Sequence, residues 1–149
     1  MKIIAKNRRA RFDYDITEIL VAGLVLSGAE VKSVKSGHTS LKGSFISIHN
    51  DEAYLTNAHI NPYKFSSHQA DYDPTQSRKL LLHRKQIDEI RSKIQSEGMT
   101  VVPLSIGLER GLIKVEVGVG RGKKLHDKRQ VVKKRDMLRD ANLEIKSGK

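Results

Sequence analysis

Histidine is the residue type in this chain best suited to metal binding or acid-base chemistry, and it occurs six times. A helical zinc motif needs two histidines about four positions apart, with further ligands close by. No pair has that spacing among His38, His49, His59, His68, His83 and His126. We interpret all six as surface or hydrogen-bonded side chains. Because the chain has no cysteine, it also lacks a thiol nucleophile and a cysteine-based zinc site.

Residues 118–124 contain several glycines followed by lysine, as a phosphate-binding loop does. The P-loop pattern would need Gly at position 117 and Ser or Thr at position 124. The chain has Val117 and Lys124 there, so the pattern fails.

Two carboxylate pairs are candidates for acid-base catalysis. Asp51 and Glu52 lie in a predicted turn, whereas Asp88 and Glu89 lie on a predicted helix face. Both pairs are interpreted as solvated charges, because a turn and a helix face are places where carboxylates are commonly exposed to water. We expect no enzyme activity, no metal and no cofactor.

The charge of the chain points instead to a polyanionic partner. There are 28 basic and 17 acidic residues, which gives a net charge of +11. Residues 1–120 carry 17 basic and 13 acidic side chains, a net of +4, whereas residues 121–149 carry 11 and 4, a net of +7. The second segment has no aromatic residue and no proline, and few aliphatic ones. We therefore predict a folded body at 1–120 and a basic tail at 121–149 that orders only on a partner.

The length of 149 residues fits one compact domain. No apolar run approaches the roughly 20 residues of a membrane span, and residues 1–9 lack the apolar region of a secretory signal. We expect a cytoplasmic protein that does not associate with membranes.

The elements that position these residues are predicted to be mostly strands. Aliphatic and β-branched residues fill 12–26, and an alternating pattern places Leu41 and Phe45 on one side of a strand at 40–47. After a polar turn at 49–52, residues 53–60 are the expected hairpin partner, followed by a polar loop at 61–76. Residues 30–34 are short enough that periodicity does not decide whether they form a helical turn.

The clearest predicted helix covers residues 77–97, with Gly98 as its end. Its apolar residues recur at helical spacing: Leu80, Leu81, Ile87, Ile90 and Ile94. Residues 100–106 and 112–119 are predicted to form a second hairpin. Short antiparallel strands with one helix before the last hairpin favour a small closed barrel.

The aromatic content narrows the kind of nucleic acid that is expected. Only seven aromatic residues are present, and they are not clustered like the stacking strip of a single-strand reader. A partner recognised through phosphates, sugar hydroxyls and shape fits this composition better.

Four segments of the sequence resemble the SmpB family of SsrA-binding proteins, and the likeness covers almost the whole chain. The segments are NRRARFDY at 7–14, AGLVLSGAEVKS at 22–33, DPTQSRKLLLH at 73–83 and GKKLHDKR at 122–129. The resemblance implies an OB-fold-like closed antiparallel β-barrel with a basic tail that is disordered when free and helical on the ribosome. It also implies an RNA-binding adaptor, monomeric, that binds the tRNA-like domain of transfer-messenger RNA and delivers it to stalled ribosomes for trans-translation.

The family pattern assigns contacts with the tRNA-like domain to eight positions: Asn7, Arg8, Arg9, Arg11, Glu30, Lys32, Leu81 and Lys114. The residues themselves leave other interpretations open. Leu81 in an apolar triplet favours core packing, and Lys114 and the arginines can be solvated side chains. Glu30 can be a helix-start carboxylate or can orient a neighbouring basic side chain.

The tail is implied to contact small-subunit rRNA at the decoding centre and to lie in the empty mRNA channel. The decoding-centre signature comprises Lys123, Lys124, His126, Asp127, Lys128 and Arg129. Asp127 can pair with Arg129 or accept a hydrogen bond from a base or ribose. An apolar stripe on a cationic helix is predicted for the channel, with residues Val131, Lys134, Arg135, Leu138 and Ile145. A disordered polybasic tail is the alternative.

Two other functions stay open on the sequence alone. A general structured-RNA-binding or ribosome-assembly factor would share the basic composition. An RNA-processing enzyme would need a metal or acid-base cluster, and the sequence offers none.

Overall fold

The computed structural model describes residues 1–66 and 69–123, and antiparallel strands dominate it. Within these residues the strands are β1 (Lys2–Lys6), β2 (Tyr14–Leu24), β3 (Thr39–Ser40), β4 (Phe45–His49), β5 (Glu52–Thr56), β6 (His59–Ile60), β7 (Arg78–Leu81), β8 (Thr100–Glu109) and β9 (Leu112–Gly122). The helices are α1 (Ala10–Asp13), α2 (Gly28–Lys35) and α3 (Arg84–Glu97), with a 3-10 turn at Gln69–Asp71. The predicted mainly β fold with inserted helices is confirmed.

Seven strands form one sheet in the order β1-β8-β9-β2-β7-β5-β4, and every neighbouring pair is antiparallel. Strands β3 and β6 form a separate two-stranded sheet. The long strand β2 pairs with β9 along its length and with β7 at its end. Strand β2 therefore joins β1, β8 and β9 on one side of the large sheet to β7, β5 and β4 on the other.

The core lies on one face of this sheet, and β9 shows how the sequence builds it. Ile113, Val115, Val117 and Val119 are each at most 5% exposed, whereas Lys114 on the opposite face is partly exposed. Burying each of these side chains contributes about 1.5–3 kcal/mol to folding. The predicted alternation and the hairpin of β8 and β9 are confirmed.

The helix predicted at 77–97 is wrong in its first part. Residues Arg78–Leu81 form strand β7, which pairs with both β2 and β5, and α3 begins only at Arg84. Leu80 fits a helical spacing with Ile87, but the hydrogen bonds of two neighbouring strands outweigh that local pattern. The predicted end is confirmed, since Gly98 adopts the left-handed conformation with φ of 65°.

The strand predicted at 40–47 is also wrong as a single element. It divides into β3 and β4, with Leu41 buried at 1% exposure and Phe45 half exposed, so the two side chains do not share a face. Its predicted partner at 53–60 divides as well, at Asn57, whose φ of 63° ends β5. The first residues of one predicted strand and the last of the other therefore pair in the separate two-stranded sheet, as β3 and β6.

Two helices flank β2. The undecided stretch at 30–34 lies within α2, an eight-residue helix, and residues 10–13 form the short helix α1, which the sequence pattern did not indicate. Ala10 of α1 packs with Val102 and Leu104 in a small second cluster. None of the described helices is long and apolar enough to cross a membrane.

Candidate nucleic-acid interface

A row of residues crosses the side of the sheet that faces away from the core. In the strand register, Gly23 of β2 lies opposite Leu81 of β7 on one side and opposite Lys114 of β9 on the other. Paired residues of antiparallel strands point to the same side, so Leu81 and Lys114 share this surface about 10 Å apart. We call it the outer face, defined by Val21, Gly23, Leu81, Lys114 and Glu116.

Leu81 is 57% exposed, so its expected packing into the core is wrong. Side chains alternate along β7, which turns Arg78 and Leu80 inward and leaves Lys79 and Leu81 outside. The Leu81 side chain lies over Gly23, where an added Cβ would come within 3.2 Å of its Cδ1 atom. Because Gly23 has no side chain, no β2 side chain covers the surface between Leu81 and Lys114.

The outer face combines apolar surface with one lysine, Lys114, and one carboxylate, Glu116. Val21 and Ile19 continue the strip along β2 and are 50% and 45% exposed. Exposed aliphatic side chains can pack on ribose and base surfaces, while a lysine at their edge can bind a phosphate. The family-matched positions Leu81 and Lys114 are thus brought together by the fold.

The basic segment, residues 7–11, borders the outer face. The backbone N–H of Asn7 donates to Leu104 O at 2.8 Å, and its Nδ2 donates to Pro103 O at 2.9 Å. Asn7 therefore holds the segment against β8. Arg9 is highly exposed, with its guanidinium 5.0 Å from the Phe12 ring centroid and 3.3 Å from Asp13.

A cavity of about 320 Å³ lies between the basic segment and the sheet. Lys6, Arg8 and Arg11 line one side, and Ser105 and Glu116 line the other. Ser105 donates to a carboxylate oxygen of Glu116 at 2.9 Å. Because Glu116 belongs to the outer face, the arginines and Lys114 border one continuous surface.

The start of the predicted tail is attached to the same region. The backbone N–H of Lys123 donates to Asp13 O at 2.8 Å, and its Nζ donates to Arg11 O at 3.0 Å. The chain therefore leaves the body beside the basic segment. The other predicted tail residues lie outside the described residues: Lys124, His126, Asp127, Lys128, Arg129, Val131, Lys134, Arg135, Leu138 and Ile145.

Glu30 is placed differently from the other predicted RNA contacts. It is 4% exposed, and its Oε2 atom lies 2.7 Å from Nη2 of Arg78, whose side chain is 2% exposed. The same oxygen accepts hydrogen bonds from Tyr72 and Gln76, while Oε1 accepts from the Ser27 N–H. We call these five residues the Glu30 cluster.

The Glu30 cluster joins three parts of the chain: the start of α2, strand β7, and the loop before β7 that carries Tyr72 and Gln76. Ser27 and Glu30 form a capping box at the start of α2, and Arg78 belongs to β7. Arg78 also donates to the carbonyl oxygens of Ala58 at 2.6 Å and Pro74 at 2.9 Å, so one side chain connects these two positions to β7. Glu30 is therefore both a helix-start carboxylate and the partner of a basic side chain, so the two interpretations left open by the sequence apply together.

The charge state of the Glu30 cluster follows from these contacts. Burial by itself raises the pKa of Glu30, but hydrogen bonds from Ser27, Tyr72 and Arg78 outweigh it and hold that pKa below its ordinary value. Burial and the hydrogen bond to Glu30 together raise the pKa of Tyr72 to about 12. At neutral pH the cluster is a buried ion pair bridged by a neutral phenol.

We expect one of the four tyrosines to ionise with a pKa of about 12, and Tyr72→Phe to remove that step. Its folded-state pKa lies above the ordinary 10, so the neutral phenol stabilises the fold fully below pH 10. That contribution is lost as the pH rises from 10 toward 12. Tyrosinate absorbance measures the ionisation, with circular dichroism to verify folding. A high-pH step of the same size in both proteins would assign it to another tyrosine.

Arg78 and Tyr72 were not among the residues predicted from the sequence. No sequence signal identified them, because residues 77–97 were predicted as a helix and the burial of Arg78 follows only from its place on β7. Lys32, which was predicted, lies on α2 with its Nζ 5.4 Å from the Tyr63 ring centroid. Among residues 1–66 and 69–123 no group of three metal-ligating side chains is present.

Comparison with known proteins gives consistent matches over nearly the full length. The family model described as SmpB protein matches residues 4–147. The SsrA-binding protein of Synechococcus sp. (strain JA-2-3B'a(2-13)) is 49% identical over 146 residues, which cover 98% of this chain and 95% of that protein. The SsrA-binding protein of Lachnoclostridium phytofermentans is also 49% identical over 146 residues, covering 98% and 94%.

A solved structure agrees with these matches. It is described as "tmRNA-SmpB: a journey to the center of the bacterial ribosome" and superposes with a TM-score of 0.65 at 44% identity. The match covers 85% of this chain and 92% of that one. Sequence, family model and fold lead to one conclusion: the chain belongs to the SmpB protein family.

Proposed function

We propose that this protein is an RNA-binding adaptor that binds transfer-messenger RNA and delivers it to stalled ribosomes for trans-translation. The observation that carries the proposal is the family match over residues 4–147, together with relatives that are SsrA-binding proteins. The related structure of tmRNA-SmpB and the bacterial ribosome supports both partners. The protein acts by holding RNA in place and has no catalytic step of its own.

The outer face and the basic segment bind the tRNA-like domain of the RNA. Leu81 and Val21 pack on sugar and base surfaces, and Lys114 and Arg8 bind phosphates on either side of that contact. Their common surface and the cavity between them support this assignment. Arg9, Arg11 and Lys32 contribute further positive charge, while Asn7 and Glu30 act by positioning the segments that carry the contacts.

The large sheet closes into an OB-type barrel that makes this face rigid. Two packing contacts support the closure, one within the large sheet and one between it and the two-stranded sheet. The edge strand β4 packs against β8, and the other edge strand, β1, packs against β3. A closed barrel removes free strand edges and keeps the spacing of Leu81 and Lys114 constant.

Residues 1–120 belong to the RNA-binding body and residues 121–149 supply the tail that enters the ribosome, with strand β9 of the body continuing through Gly122. The excess of charge in the tail and the attachment of Lys123 beside Arg11 support this division. In this account Lys123, Lys124, His126, Asp127, Lys128 and Arg129 bind rRNA at the decoding centre. Val131, Lys134, Arg135, Leu138 and Ile145 belong to a helix that forms in the empty mRNA channel.

Lys114→Ala is expected to weaken binding to the tRNA-like domain and to lower the slope of log Kd against log salt by about 1, because one phosphate contact is lost. Leu81→Ala is expected to weaken binding without changing that slope. Titration of the labelled tRNA-like domain at several salt concentrations measures both effects.

The matched controls are Lys85→Ala and Ile94→Ala, which remove an exposed lysine and an exposed aliphatic side chain from α3. Both should bind like the wild type. Equal weakening by the α3 variants, or binding of unrelated structured RNAs with the same affinity, would favour a general RNA-binding factor instead.

A further inference from the structure

Three of the seven aromatic side chains gather beside α2, although the sequence shows no aromatic cluster. A cavity of about 250 Å³ opens there, and Ala29, Pro62, Tyr63 and Tyr72 are among the residues that line it, whereas Phe65 is not part of that lining. The Phe65 ring meets Tyr63 edge to face, with ring centroids 5.4 Å apart at an angle of 71°. Phe65 itself is 73% exposed. We call this group the aromatic pocket.

One lysine lies close to each of the Tyr63 and Phe65 rings. Lys32 Nζ is 5.4 Å from the Tyr63 ring centroid, and Lys64 Nζ is 4.9 Å from that of Phe65. Glu30 also lines the cavity, but its charge is compensated by Arg78. The lysines therefore determine the sign of the charge next to the rings.

Exposed aromatic faces flanked by lysines suit a nucleotide better than an apolar peptide. A planar base stacks on an aromatic ring whatever its sequence, while the neighbouring phosphates bind the cations. An apolar peptide would bury the lysines without compensation. The charge and the ring geometry together select RNA.

We propose that the aromatic pocket stacks one unpaired base of the tRNA-like RNA on the exposed Phe65 ring, which Tyr63 supports edge to face, with Lys32 and Lys64 on the flanking phosphates. The inference rests on the proposed function and adds a second contact to the outer face. It assigns RNA contacts to Tyr63, Lys64 and Phe65, which no family motif indicated.

The test uses the absence of tryptophan from the chain. Phe65→Trp introduces a single reporter at the pocket, and Phe45→Trp introduces one at the other exposed phenylalanine, on β4. Titration with the tRNA-like domain should quench the emission of the Phe65→Trp variant, because stacking on a base quenches the indole, and should leave the β4 reporter unchanged. Phe65→Ala should raise Kd about tenfold, whereas Phe65→Trp should keep the wild-type value.

The outcomes separate this inference from the proposed function. If wild-type protein binds the RNA but Phe65→Ala binds equally well and the Phe65→Trp emission does not change, the aromatic pocket is not a base site. The outer-face proposal then stands. If the wild-type protein fails to bind the tRNA-like domain, the proposed function itself is wrong.

Discussion

Glu30→Ala is expected to lower the free energy of unfolding by about 3–5 kcal/mol, because it leaves the buried Arg78 guanidinium without its counter-charge. Tyr72, Gln76 and the Ser27 N–H lose their shared acceptor at the same time. Urea unfolding followed by circular dichroism measures the change.

Glu52→Ala is the matched control for this variant. Glu52 pairs with Lys79 at 3.0 Å, but both side chains are more than 40% exposed, so solvent screens the pair. Its removal should leave stability almost unchanged. The double variant Glu30→Ala/Arg78→Met should recover part of the loss, since an apolar residue needs no counter-charge. Equal stability of Glu30→Ala and the wild type would show that the buried pair does not hold the fold together.

Acid provides a second test of Glu30. Its pKa is lowered by folding, so its contribution is complete above the unfolded value of about 4.5 and is lost as the pH falls through the lower folded value. The stability difference between wild type and Glu30→Ala should therefore be constant near neutral pH and shrink in acid. A difference independent of pH throughout would contradict the ion-pair assignment.

RNA binding by Glu30→Ala distinguishes a positioning role from a simple charge effect. Removal of a negative charge should strengthen binding to any polyanion. Under conditions in which the variant remains folded, we expect weaker binding to the tRNA-like domain, because the Glu30 cluster no longer holds α2 and the loop before β7. Uniformly stronger binding to all RNAs would show a simple charge effect and no positioning role for Glu30.

Deletion of residues 124–149 is expected to abolish tagging of nascent peptides on stalled ribosomes while tight binding to the tRNA-like domain is retained. The shortened chain keeps Lys123, whose contacts with Asp13 and Arg11 complete the body. It loses the residues assigned to the decoding centre and the mRNA channel. A reconstituted translation system with an mRNA lacking a stop codon measures tagging, and a titration measures RNA affinity.

A full-length chain with residues 131–149 in scrambled order is the control, because it keeps the net charge of the tail. It should bind RNA but fail in tagging if the apolar stripe of the channel helix matters, and it should tag normally if charge alone is sufficient. Loss of most RNA affinity on deletion would contradict the division into body and tail.

The parts of the fold that were predicted correctly have strong local patterns. Ile113 to Val119 alternate with polar residues and glycine, and this pattern identifies a strand with one buried side. Leu80 and Leu81 fit a helical spacing equally well, so local sequence did not reveal that β7 is held between β2 and β5. The difference depends on hydrogen bonds to residues more than 20 positions away.

The candidate site was predictable as a set of residues but not as an arrangement. The family pattern pointed to both Glu30 and Leu81, yet one lies buried in an ion pair and the other is exposed. The pairing of Glu30 with Arg78 joins positions 48 residues apart, and no local spacing indicates it. The uneven charge, in contrast, depends on composition alone and could be assigned to residues 1–120 and 121–149 directly.

We infer that the body of the protein selects one RNA through its outer face. The most direct measurement is purification of the full-length protein from cells, followed by sequencing of the bound RNA, in parallel with the Leu81→Ala/Lys114→Ala double variant. We predict that transfer-messenger RNA is strongly enriched with the wild type and depleted with the double variant. Bound RNA that mirrors the total cellular RNA, or equal enrichment by both proteins, would contradict the claim.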